Sequence, residues 1–179
     1  MAAGDPELPR GVALPGADPV VVHFDGACQT IRGQRTAGYG CTIDGGGFRH
    51  EECGLAVPPG HLRATNNVAE YVGAIRALEW LVTTPYRGEV VVIGDSELVV
   101  RQASGEYEVR ADHLRPYHER LRQLAGLFRR VEFRSIPREE NRRADALSKA
   151  GIATVLGTGR RPLSDRPDPS FAASGRPPD

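Results

Sequence analysis

Four carboxylates in this sequence stand where apolar runs end or helices begin, and that placement is what could do chemistry. Asp25 follows the run VVVHF and precedes Gly26; Glu70 stands early in the stretch NNVAEYVGAIRALEWLVTT; Asp95 closes EVVVIGD; Asp145 lies within NRRADALSKAGI. Each has an ordinary structural reading when taken singly. Asp-Gly is a turn pair, and Glu70 fits the third position of a capping box opened by Asn67. Asp95 fits the cap of a helix that starts at Ser96, and Asp145 fits an ion pair with Lys149 four residues on. Brought together, the four would repel one another unless a cation lay between them. Carboxylates grouped without His or Cys suit a hard, oxygen-seeking ion such as Mg²⁺ or Mn²⁺.

The elements that must position these groups follow from apolar patterning. The Val-rich run over 20–28 has the composition of a strand buried on both faces, and it carries Asp25 to a sheet edge where Gly26 opens the backbone. Strands over 39–43 and 48–57, joined by a glycine turn, complete an antiparallel meander. Pro58, Pro59 and Gly60 end it. A helix then starts near Thr65–Asn67, whose side chains are good N-caps, and runs to about 84. Its apolar stripe is Val68, Val72, Ile75 and Val82; Glu70, Gly73, Ala74 and Ala77 lie on a neighbouring face small enough to approach a sheet. EVVVIGD reads as a second fully buried strand. Helices over 96–103 and 114–128, a strand VEFRSI and a last helix carrying Asp145 complete the series, with Ala144, Leu147 and Ile152 inward.

Length and composition bound the possibilities. The chain has 179 residues, 40% of them hydrophobic, which suits a single core. The expected organisation is a loose arm over 1–18, one domain over 19–153 and a Pro-, Gly- and Ser-rich tail over 154–179. No window approaches the roughly 18 unbroken apolar residues of a membrane span, and the start has neither the basic flank nor the apolar run of a signal peptide, so a cytoplasmic protein with no membrane partner is expected. Cys28, Cys41 and Cys53 fit neither a disulfide framework nor a zinc site and read as reduced thiols. Formal net charge is zero, but arginines crowd the stretch from Arg101 to Arg143. Their planar forks suit phosphate; a solvated helix face accounts for them equally well.

In order and at these separations, FDGAC, TNNVAEY, GDSELVV and NRRADALS resemble the four motifs of type 1 ribonuclease H, and the element order β-β-β-α-β-α-α-β-α is similar to that family's. The resemblance covers about 19–152. It implies an α/β, ribonuclease H-like fold: a mixed five-stranded sheet, three antiparallel strands then parallel ones, flanked by helices on both faces. By matching motif to motif it assigns Asp25, Glu70, Asp95 and Asp145 as metal ligands, and it turns Cys28, Thr65, Asn66 and Asn67 toward the substrate backbone. The implied activity is cleavage of the RNA strand of an RNA/DNA hybrid to 5′-phosphate and 3′-hydroxyl products. Two Mg²⁺ or Mn²⁺ ions about 4 Å apart, bridged by Asp25, would assist in-line displacement. A monomer is expected.

The sequence departs from the family pattern in three places. The stretch after the first aspartate, of the form GNPG in the family, is replaced by residues 29–35. A basic helix and loop inserted between the middle helices of many bacterial members is absent, which implies a weaker grip on substrate. The histidine of the loop before the final aspartate is missing, with none between Glu119 and Asp145. Arg138 is the candidate to replace it, in an electrostatic role only, because arginine does not give up its proton. The rival reading is a module of this fold that binds nucleic acid without cutting it; retention of all four carboxylates favours catalysis.

Overall fold

A computed structural model describes residues 18–157. Most of the expected arm and tail therefore lies outside the described residues. Five strands form one sheet: β1 (Val20–Ile31), β2 (Gln34–Gly45), β3 (Phe48–Leu55), β4 (Glu89–Gly94) and β5 (Arg130–Ser135), in the order β3-β2-β1-β4-β5. The first three pair antiparallel; β1–β4 and β4–β5 pair parallel. Four helices complete the domain: α1 (Asn66–Thr83), α2 (Glu97–Ser104), α3 (Arg115–Ala125) and α4 (Arg142–Ala153). The mixed sheet flanked by helices is as the sequence implied. Beyond α4, Thr154–Leu156 form one 3-10 turn.

Strand β1 runs three residues past its expected end, so Asp25 is inside it. The extension, Gln29 to Ile31, pairs only with β2, as an antiparallel ribbon turned by Arg32 and Gly33, both at positive φ. The parallel pairing to β4 ends at His23↔Ile93. Asp25 thus stands where β1 loses one neighbour while keeping the other. Nor is β1 buried on both faces. Val20, Val22 and Phe24 are fully buried, whereas Val21 and His23 are half-buried. The reason is that α4 covers β2, β1 and β3 rather than β4, so the far face of the β1–β4 pair is only partly roofed. Val91 of β4 is half-buried for the same reason.

Helix α1 buries more than one stripe. Val68 to Ile75 are all buried, together with Ala77, Leu78 and Leu81, while the expected Val82 is only half-buried. It presses on the sheet through small residues: a Cβ on Gly73 would lie 3.2 Å from the backbone oxygens of both Asp25 and Gly40. Helix α3 is shorter than the expected 114–128: Asp112–Leu114 form a 3-10 turn before it, and it ends at Ala125 with Gly126 as its C-cap. Leu114, Tyr117, Leu121, Leu124 and Phe128 are nevertheless buried as expected. No helix among the described residues is long and apolar enough to cross a membrane.

Candidate active site

Three of the four carboxylates meet. One oxygen each of Asp25, Glu70 and Asp95 lies within 4.8 Å of the others, Asp25 and Glu70 being buried. Asp25 is carried by β1; Asp95 follows directly on Gly94, the last residue of the parallel neighbour β4. Both therefore stand where the parallel β1–β4 pairing ends, Asp25 inside β1 and Asp95 just past β4, at the kind of crevice where open α/β sheets place their ligands. Glu70 comes from the first turns of α1, which cross the sheet at Gly26. A Cβ there would lie 2.2 Å from the Glu70 nitrogen and 2.6 Å from the Ala69 carbonyl carbon. The Asp-Gly pair is thus no turn: glycine is required because a helix backbone rests on it.

The capping explanations give way here. Thr65, not Asn67, is the N-cap of α1, its hydroxyl accepting from the Val68 amide at 3.2 Å. Ser96, not Asp95, caps α2. Glu70 and Asp95 are left without that structural duty. Burial, and then the charges of Asp25 and Asp95, push Glu70 up to about 9. Burial likewise raises Asp25 to about 6, against a hydrogen bond from Ser148 that favours the charged form. The Gly26 amide hydrogen-bonds Glu70, yet Glu70 Oε2 remains buried without a partner. A buried, unpartnered carboxylate oxygen facing two further carboxylates fits a hard divalent cation.

Asp145, in the first turn of α4, has a different setting. The ion pair expected with Lys149 forms, Nζ to Oδ2 at 2.5 Å, and Arg138 Nη2 meets Oδ1 at 2.8 Å. The Lys149 hydrogen bond is the main cause that holds Asp145 below the usual carboxylate range. Arg138 projects from a 3-10 turn, Arg138–Glu140, and is exposed. Its guanidinium also feels the charges of Asp25 and Asp95, which links it electrostatically to the cluster.

The expected substrate-facing residues lie where β1 meets the entry of α1. Cys28 is half-buried on β1, its thiol donating to the Ala64 carbonyl at 3.3 Å, which ties the strand to the entry of α1. Thr65 is committed to capping, Asn66 is exposed and Asn67 is half-buried beside it. Several arginines proposed for phosphate are paired instead: Arg101 with Glu97, Arg115 with Asp112, Arg120 with Glu79 and Arg143 with Glu51.

Two residues of the site escape a reading by residue type. Asn141 precedes α4 where a cap is expected, yet its side chain makes no cap hydrogen bond. It reaches across to donate to the Phe24 carbonyl at 2.8 Å and to Asp95 Oδ1 at 3.0 Å. Ser148 is fully buried, its hydroxyl 2.5 Å from Asp25 Oδ2. The available signal was periodicity: Ser148 is three residues after Asp145, on the same side of the helix.

A family model described as reverse transcriptase-like matches residues 23–151. A bifunctional protein of Mycobacterium tuberculosis is 42% identical over 86 residues, 48% of this chain and 23% of its own length. The ribonuclease HI of Halobacterium salinarum is 33% identical over 133 residues, 74% of this chain and 64% of its own length. This chain therefore spans less than two thirds of the curated relatives it matches. Among solved structures, LC11 RNase H1 in complex with an RNA/DNA hybrid superposes with a TM-score of 0.64, at 33% identity over 76% of this chain and 99% of that one. The chain belongs to the reverse transcriptase-like family and, within it, to the type 1 ribonucleases H.

Proposed function

We propose that this protein is a metal-dependent endoribonuclease that cleaves the RNA strand of RNA/DNA hybrids, leaving 5′-phosphate and 3′-hydroxyl ends. The observation that carries the reading is the convergence of Asp25, Glu70 and Asp95 within 4.8 Å where the parallel β1–β4 pairing ends. The hybrid in the LC11 RNase H1 complex supports the choice of substrate.

Asp25, Glu70, Asp95 and Asp145 would hold two divalent ions, Mg²⁺ or Mn²⁺. Bound there, divalent cations lower the pKa of the attacking water and stabilise the leaving 3′-oxygen. The chain's own residues do the rest. Asn141 fixes the Asp95 carboxylate against β1. Cys28, Thr65, Asn66 and Asn67 line the rim on which the substrate backbone would lie, where side-chain amides can reach the 2′-hydroxyls of a shallow minor groove. Arg138 stays protonated, so it would neutralise the cleaved phosphate rather than accept a proton. A cation at Asp145 would share its oxygens with Arg138 and Lys149. The free thiols of Cys28, Cys41 and Cys53 support a reducing, cytoplasmic setting. A monomer organised as arm, single domain and tail completes the reading.

The test is a gel assay with end-labelled RNA/DNA hybrid, duplex RNA and duplex DNA. Cleavage of the hybrid alone, silenced by EDTA and restored by Mg²⁺ or Mn²⁺, is expected. An intact hybrid in the presence of either ion would overturn the reading.

A further inference from the structure

The residue that reaches furthest into the cluster from outside it is Ser148, and its position is built by the sheet. In the β1–β2 register Asp25 pairs with Gly40, and Gly38 lies two residues along, on the same face of β2. A Cβ on Gly38 would meet the Ser148 carbonyl oxygen at 2.5 Å, and one on Gly40 would meet the Ser148 amide nitrogen at 2.5 Å. The two glycines let the backbone of α4 sink onto β2 between Ala144 and Ile152, with Ser148 at the centre of the contact. Ala144, one turn earlier, and Ile152, one turn later, complete the contact and are themselves buried.

Seated there, the Ser148 hydroxyl is 2.5 Å from Asp25 Oδ2 and 2.9 Å from the Asp145 carbonyl. A hydroxyl has one proton to donate, and a carboxylate is a stronger acceptor than a neutral carbonyl. A residue with no solvent exposure thus spends its only polar atom on a site carboxylate. A carboxylate pinned through one oxygen has lost its free rotation, and the entropy of that loss is settled before any cation arrives.

We propose that Ser148 is a positioning residue for cation binding: seated by Gly38 and Gly40, its hydroxyl pre-orients Asp25. The inference rests on the reading of Asp25 as a metal ligand. Hydrogen-bond partners of ligating groups are worth about 10- to 100-fold in metal affinity, which sets the expected effect.

The experiment is calorimetric titration of Mn²⁺ into the full chain without nucleic acid, for wild type, Ser148→Ala and Ser148→Cys, with thermal melts of each. Ser148→Ala should weaken Mn²⁺ binding about tenfold. In the cleavage assay it should lower kcat at limiting Mn²⁺ and recover when Mn²⁺ is raised, with KM for the hybrid unchanged. A purely structural role would not produce that recovery. Ser148→Cys is nearly isosteric and a weak donor, so it should show the same loss even if the alanine variant does not fold. Wild-type Mn²⁺ affinity in a folded Ser148→Ala or Ser148→Cys protein would overturn the proposal. Absence of Mn²⁺ binding and of hybrid cleavage by the wild type would instead overturn the functional reading beneath it.

Discussion

The buried trio of Asp25, Glu70 and Asp95 and the rim aspartate, Asp145, are the same chemistry in opposite electrostatic settings. In the trio, burial and mutual repulsion push Glu70 up to about 9 and Asp25 to about 6, and one Glu70 oxygen has no partner. On the rim, Lys149 and Arg138 satisfy both oxygens of Asp145 and hold it low. At the trio a proton or a cation would relieve an unfavourable arrangement, whereas at Asp145 a cation would compete with charges supplied by the chain. The difference teaches that carboxylates assigned together by motif need not be equally ready for a cation.

The comparison breaks most sharply at the trio. Asp95→Asn keeps the acceptor for Asn141 but removes a charge, and hybrid cleavage should fall to background in the gel assay while circular dichroism still reports a folded protein. Near wild-type cleavage would remove Asp95 from the site. At the rim the expected loss is smaller. Arg138→Ala should reduce turnover by no more than about a hundredfold, the low end of what a positioned proton-transfer group contributes, and should leave the divalent-ion requirement unchanged. Turnover equal to wild type at every pH would make the loop a bystander.

Stability sharpens the contrast further. Glu70 is ionised in the unfolded chain above its ordinary pKa but keeps its proton in the folded, cation-free protein up to about 9. Folding then carries a penalty that appears as pH rises past the unfolded value and grows until about 9. Glu70→Gln removes it. Without divalent ions at neutral pH, its melting temperature should exceed the wild type's by about 3–6 °C, the shift that roughly 1–2 kcal/mol gives in a domain of this size. The gap should close below the ordinary glutamate pKa, and also when Mg²⁺ binds the wild type. A gap independent of pH would mean that repulsion is not its source.

The smallest effect belongs to the rim pair. Lys149 is half-exposed and bonded to Asp145 across one helical turn, so Lys149→Met should cost less than about 0.5 kcal/mol in a urea melt. Asp145 lies below the usual range when folded, so the pair stabilises at neutral pH. That contribution is lost as pH falls through its folded pKa.

Much of this was legible in the sequence because it depends on local patterning. The Val-rich runs placed β1 and β4, and the aspartates at or near their ends placed two of the three converging groups. What patterning missed depends on contacts between distant segments. Gln29 to Ile31 lack an apolar signature because they form a two-stranded ribbon beyond the sheet, exposed at Gln29 and Thr30. The partial burial of Val21 and His23 depends on which strands α4 covers. Asn141 is of a residue type that favours helix caps, but its position at the sheet end lets it bind Phe24 and Asp95 instead. Gly26, which with Asp25 makes a turn pair, and Gly38 and Gly40, which fall beside and within an expected strand, are instead seats for helix backbone.

The most direct test of the account is calorimetric titration of Mn²⁺ into wild type and Asp25→Asn at pH 7.5, without nucleic acid. Wild type should bind saturably and Asp25→Asn should not, with Lys149→Met binding no more weakly than wild type. Undiminished binding by Asp25→Asn would contradict the claim that the buried trio is the cation site.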